Sequence, residues 1–183
     1  FRANWENWSG EGGFYKFSRE ELDELDSIAK QYDAVIGIRT HIREERSVLE
    51  SFAGLDVLVF NDIVEPALVL KKTDVLISDY SSIVVDFLLL RRPILSFAFD
   101  YETYKQGKGF LYDLEDVFPT PLCFTFNELK SGLLSALRNI ESSEVSSQYQ
   151  RAIDLFHSFP DEKSTQRVLE KIDTALDDLK GVN

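Results

Sequence analysis

The chain has 183 residues, 44% of them apolar, enough to bury a full core in a single domain. Its formal charge of −12 and isoelectric point near 4.6 argue against a duplex-binding surface, which needs clustered Lys and Arg, so no nucleic-acid partner is expected. One cysteine, Cys123, excludes an intrachain disulfide, and beside two histidines it makes no metal-ligand pattern, so no metal site is expected. No apolar run approaches the length of a membrane span and no signal peptide opens the chain, so a soluble protein of a reducing compartment is expected. The lack of methionine and the start at Phe1 suggest a piece of a longer polypeptide.

Residues 1–17 hold Trp5, Trp8, Gly10, Gly12 and Gly13 without a period and read as a loop with aromatic anchors. Ser18 to Glu21 form a capping-box pattern, and Leu22, Leu25, Ile28 and Ala29 supply the apolar stripe of a helix ending near Gln31. The β-branched run from Ala34 to Ile38 predicts a strand, followed by Arg39, Thr40 and His41 at its carboxyl end. Residues 56–60 predict a second strand, 64–72 a short helix with Glu65 and Pro66 in its first turn, and 75–78 a third strand. An apolar helix at 81–90 and a fourth strand at 93–99 follow. Lys71-Lys72 and Arg91-Arg92 read as charges at helix C-termini.

Residues 100–121, rich in Tyr, Asp, Glu, Gly and Pro, show no clear period; long irregular segments in compact domains often carry function. A last strand at 122–126 and a helix capped by Asn127 and running to about Asn139 come next. A polar linker at 142–147 leads to two helices at about 148–158 and 164–179, with Ser164 as N-cap of the second. Continuously apolar strands joined by connections long enough for crossovers predict an α/β fold, a parallel sheet with helices on both faces.

The strongest functional signal runs from Thr73 to Asp86, a strand entering a helix through Asp79, Tyr80, Ser81 and Ser82. Such a junction points free backbone N–H groups above the carboxyl edge of the sheet, where open α/β folds bind ligands. Ser81 and Ser82 suit a diphosphate, and Asp86, one turn beyond Ser82, suits a ribose. Two readings compete, because Asp-x-Ser-Ser is also a common helix cap. Asp86 favours the ligand: every other residue from Ile83 to Leu90 is apolar, and burying an unpartnered charge is costly.

His41 stands at the carboxyl edge beside the same crevice, where an imidazole can exchange a proton or stabilise developing negative charge, although a lone histidine is more often a surface or capping residue. His157, close to Phe156 and Phe159, reads as structural or as a C-terminal cap, and Cys123 as a small core residue. Tyr101, Tyr104, Lys105, Gly107, Lys108, Gly109 and Phe110 form either a phosphate-facing loop or an ordinary turn. Arg167 reads as a solvent or salt-bridge residue.

Taken together, residues 73–86, Arg92-Pro93-Ile94 through Asp100, Tyr104 with Lys108-Gly109-Phe110, and Pro119-Thr120-Pro121 resemble the C-terminal domain of the CDP-glycerol glycerophosphotransferases, the teichoic acid polymerase and primase family. The likeness runs from about His41 to Arg167, densest at Asp79 to Asp86, and Phe1-Arg2 resembles the tail of the proline-threonine-aromatic-arginine segment that follows this domain's first strand. The resemblance implies a two-domain glycosyltransferase-B (GT-B) architecture. Residues 1–183 would be most of its Rossmann-like, nucleotide-binding half, with C-terminal helices at 142–183 packed on it and the N-terminal domain missing.

It further implies His41 as a catalytic residue, one of two histidines drawn from the two domains, and Asp79, Ser81, Ser82, Asp86, Lys108 and Gly109 as substrate-binding residues. The donor would be CDP-glycerol or another CDP-polyol, with no tightly bound cofactor. The acceptor would be a lipid-linked polyol-phosphate or glycan, and the full-length protein would be cytoplasmic and peripheral at the inner membrane face. Three departures from the family pattern bear on the polyol and the acceptor. Ile42 stands where proline commonly follows the histidine, Lys108 where arginine precedes the glycine, and Thr120 where glycine stands between two prolines. A nucleotide-sugar (UDP or GDP) GT-B glycosyltransferase or epimerase domain and a non-catalytic nucleotide-binding module are the competing readings.

Overall fold

The computed structural model describes residues 17–39, 50, 52–61, 65–107, 109–142 and 144–180. The aromatic loop expected at 1–16, and His41, Ile42 and Lys108, lie outside these residues.

Helix α1, Arg19–Gln31, begins where predicted: the Ser18 hydroxyl accepts from the Glu21 N–H at 3.2 Å and Glu21 Oε2 accepts from the Ser18 N–H at 2.8 Å. Leu22, Leu25 and Ile28 form its buried stripe. Strands β1, Ile36–Ile38, and β2, Val57–Val59, then pair in parallel with Gly37 opposite Leu58. Gly37 is required there, since a Cβ would meet the Phe60 ring at 2.6 Å. In α2, Pro66–Leu70, Glu65 is the N-cap and Pro66 opens the first turn. Arg92 reaches back to the end of this helix, donating to the Thr73 carbonyl at 2.7 Å and the Lys71 carbonyl at 3.1 Å.

The second parallel group is β3 (Leu76–Ser78), β4 (Ile94–Phe97) and β5 (Leu122–Cys123), in that spatial order, with Ser78 opposite Ser96 and Ser96 opposite Leu122. Between and after these strands lie α3 (Ile83–Leu88), α4 (Tyr101–Gly107), α5 (Leu114–Val117), α6 (Phe126–Arg138), α7 (Ser147–Phe156) and α8 (Ser164–Lys180). Central β4 is buried throughout, and its alternation feeds two cores. Ile94 joins Leu70, Val84, Phe87, Leu88, Tyr149 and Ile153 on one face. Leu95 and Phe97 join Leu25, Cys123, Phe126 and Leu129 on the other. Full burial of residues such as Phe87 or Leu88 contributes about 1.5–3 kcal/mol each. Helices on both faces of a parallel sheet are therefore the architecture at its centre.

Several expectations need correction. The strands pair as a two-stranded and a three-stranded group among the described residues, not as one continuous sheet. Continuous apolar runs predicted strands buried on both faces, yet Leu58 is 51% and Ile77 42% exposed; among the described residues only β4 has strands on both sides and helices above and below. The last strand stops at Cys123 because Thr125, not Asn127, caps α6: Glu128 Oε2 takes the N–H groups of Phe124 and Thr125, at 2.7 and 3.0 Å, out of any ladder. Those bonds hold the Glu128 carboxyl below its ordinary range. The aperiodic 100–121 segment contains α4 and α5, helices too short to display a period. Ser164 is the first helical residue of α8 instead of its cap.

Candidate functional site

Because β3, β4 and β5 are parallel, their carboxyl ends share one edge, and the turns at 79–82, 98–100 and 124–125 lie along it. Strand β3 ends at Ser78, and the Asp79 carboxylate accepts from the Ser81 N–H at 3.0 Å, an Asx turn that reverses the chain. Ser82 occupies the N-cap of α3 with no side-chain capping bond, so the competing capping role does not consume its hydroxyl. Ser81 and Ser82 are both exposed on this edge. At six residues α3 is shorter than the predicted 81–90, so its dipole contributes less and the hydroxyls more to any anion affinity.

Asp86 lies one turn beyond Ser82 as expected, but it is exposed, not buried. The buried face of α3 is Val84, Phe87 and Leu88, and Ser82, Asp86 and Leu89 project from the other side. Its carboxylate therefore carries no desolvation cost that a ligand must relieve, and its placement alone supports a binding role.

Tyr101 to Gly107 of the aromatic and glycine cluster form helix α4 instead of a loop. Tyr101 and Tyr104 stand on α4, and the Gly109 N–H donates to the Tyr104 carbonyl at 3.1 Å. Gly109 has φ +71°, the left-handed conformation that makes glycine the natural residue after a helix end.

Tyr80 and Asp100 were not foreseen at this edge. The Tyr80 hydroxyl donates to Asp100 Oδ1 at 2.5 Å, and its ring lies 4.7 Å from Tyr104 and 5.1 Å from Phe110. Burial, then the bond to Asp100, raises the Tyr80 phenol far above its ordinary range, so it stays a donor at all physiological pH values. The available sequence signal was an aromatic residue inside a turn of small polar ones.

Other predicted residues have structural partners. Thr120, one of the departures, half-buried, donates to the Ile94 carbonyl at 3.1 Å. His157 is the C-cap of α7 and its Nε2 lies 2.8 Å from the Val85 carbonyl, which makes it structural. Arg167 pairs with Asp161 at 2.9 and 3.0 Å and covers Phe159. Cys123 is buried in β5, and burial raises its thiol pKa. A cleft of about 530 Å³ opens between the starts of α1 and α6, but Glu20, Glu21 and Glu24 line it and oppose a diphosphate.

The family model for CDP-Glycerol:Poly(glycerophosphate) glycerophosphotransferase matches residues 5–174. The chain belongs to this family. A teichoic acid poly(glycerol phosphate) polymerase of Staphylococcus epidermidis is 35% identical over 149 residues, 78% of this chain and 19% of that protein. A teichoic acid glycerol-phosphate transferase of Staphylococcus aureus is 31% identical over 166 residues, 87% of this chain and 40% of that protein. A solved structure of the wall teichoic acid polymerase TagF superimposes with a TM-score of 0.63 at 22% identity, over 91% of this chain and 40% of that one. Members of the glycerophosphotransferase family thus share this α/β fold with the chain, which spans well under half the length of these relatives.

Proposed function

We propose that residues 1–183 form the donor-binding, C-terminal GT-B domain of a CDP-glycerol-dependent glycerophosphotransferase. In this reading the Ser81 and Ser82 hydroxyls and nearby N–H groups hold the diphosphate of CDP-glycerol, Asp79 shapes the turn, and Asp86 accepts hydrogen bonds from the ribose. Gly109, just beyond α4, contributes close approach of the backbone, and Lys108, outside the described residues, contributes charge. The observation that carries it is the pair of exposed serines at the carboxyl edge of a parallel strand, their hydroxyls free of capping, in a chain of this family.

An acceptor hydroxyl attacks the β-phosphorus, the P–O bond to the α-phosphate breaks, and CMP leaves with the bonding electrons. His41 exchanges a proton or stabilises charge at that step, opposite a second histidine from the N-terminal domain, and fixed donors and charges carry most of the rate. The acceptor is a lipid-linked polyol-phosphate or glycan, reached by a protein peripheral to the inner membrane face. No helix among the described residues is long and apolar enough to cross a membrane.

A ribitol donor is the second reading. A teichoic acid poly(ribitol-phosphate) polymerase of Bacillus spizizenii is 28% identical over 94% of this chain. The greater identity to the poly(glycerol phosphate) polymerase of Staphylococcus epidermidis, 35% over 78% of this chain, favours the glycerol form.

Titration of the intact protein with CDP-glycerol, CDP-ribitol, UDP and GDP tests both. CDP-polyol binding that weakens at least about tenfold in Ser82→Ala and in Asp86→Ala, the loss of roughly one charge-assisted hydrogen bond, is the expected outcome. Equal or absent binding of all four nucleotides contradicts it, and a preference for UDP or GDP points to a nucleotide-sugar enzyme.

A further inference from the structure

We propose that Tyr80 is a positioning residue for the donor site, holding Ser81 and Ser82 in register with the Gly109 turn through its bond to Asp100 and its ring contacts. The proposal rests on the reading of those serines as donor ligands. Tyr80 lies in the chain between Asp79 and Ser81, so a ring held by Asp100, Tyr104 and Phe110 restrains the backbone that carries the serines.

Its anchors come from two directions. Asp100 lies just beyond β4, the fully buried central strand, and its carboxylate is a strong acceptor for the phenol. Tyr104, on α4, and Phe110, beside Gly109, stack on each other at 5.0 Å with planes 15° apart, and both meet the Tyr80 ring. Tyr101 extends this group towards Phe124 after β5, at 5.7 Å. One side chain therefore ties the β3–α3 turn to the α4 end, the two segments read as contacting the donor.

The turn needs such a tie. The serine hydroxyls are exposed, and the local Asx bond fixes the turn's shape without fixing its position over the sheet. A site must hold its ligating groups to within about half an ångström. The ring contacts survive loss of the hydroxyl, so Tyr80→Phe isolates what the bond to Asp100 adds to the register.

The test uses the intact protein carrying Tyr80→Phe, Asp100→Ala or both. Tyr80→Phe should raise Kd and KM for CDP-glycerol about tenfold, leave kcat within about twofold and leave the thermal midpoint nearly unchanged. The double variant should bind no more weakly than the weaker single variant, since both changes break one interaction. Unchanged donor affinity in Tyr80→Phe, additive losses, or an affinity loss that tracks a fall in thermal midpoint overturns the proposal. Failure of the underlying reading looks different: the unmodified protein does not bind CDP-glycerol, or Ser82→Ala binds it as well as the parent, and the positioning role falls with it.

Discussion

Ser96, at the middle of the central strand, is fully buried, and its hydroxyl has no hydrogen-bond partner among the described residues. An unpaired buried hydroxyl costs about 1–3 kcal/mol. Ser96→Ala should therefore leave stability unchanged or raise it, as read by denaturant midpoint, and a loss beyond about 1 kcal/mol would reveal a partner for the hydroxyl. Serines on the edge behave differently because their hydroxyls meet solvent. Their position was legible in the sequence, since a strand running into Asp-x-Ser-Ser dictates a turn within four residues. Asp86 was legible in place but not in burial: helix length and tilt decide which side meets solvent. The Tyr80–Asp100 bond was not legible, because 20 residues separate its partners and only the side-by-side pairing of β3 and β4 brings them together.

Among elements, the starts of α1 and α2 were legible, because the capping box at Ser18 and the proline after Glu65 act within three residues, whereas the caps expected at Asn127 and Ser164 were not. Ends of strands were less so, as the early stop of β5 shows: its final residues serve the cap of α6. Docking of α7 against the sheet depends on Tyr149, buried, whose hydroxyl donates to the Arg92 carbonyl at 2.9 Å. Burial pushes this phenol up from its ordinary 10.0 to about 12. A raised folded-state value means that the unfolded chain loses the proton first, so the stabilisation is complete below pH 10 and declines as pH rises towards 12. Tyr149→Phe should cost about 1 kcal/mol near neutrality and make the alkaline limb of a midpoint-against-pH curve shallower. Parallel curves for the two proteins would contradict this assignment.

At the scale of the whole molecule, two apolar clusters on opposite faces of β4 hold the sheet edge in place, and the elements that build it contribute to both. No described side chain of α8 is buried, so this helix adds little to the cores that hold the edge. The α/β class was legible from continuous apolar runs and long connections. Division of the strands into two groups was not, since pairing depends on contacts between distant segments. The bond that breaks in the donor separates the two chemistries. Phosphotransfer from CDP-glycerol cleaves between the two phosphates and releases CMP, whereas glycosyl transfer from a nucleotide sugar releases the nucleoside diphosphate. The most direct measurement is the nucleotide product of the intact protein incubated with CDP-glycerol and a polyol-phosphate acceptor. The expected product is CMP, formed in step with acceptor extension and lost in His41→Ala while CDP affinity stays near that of the parent. Turnover of UDP- or GDP-sugars with release of UDP or GDP, and no CMP from CDP-glycerol, would contradict it.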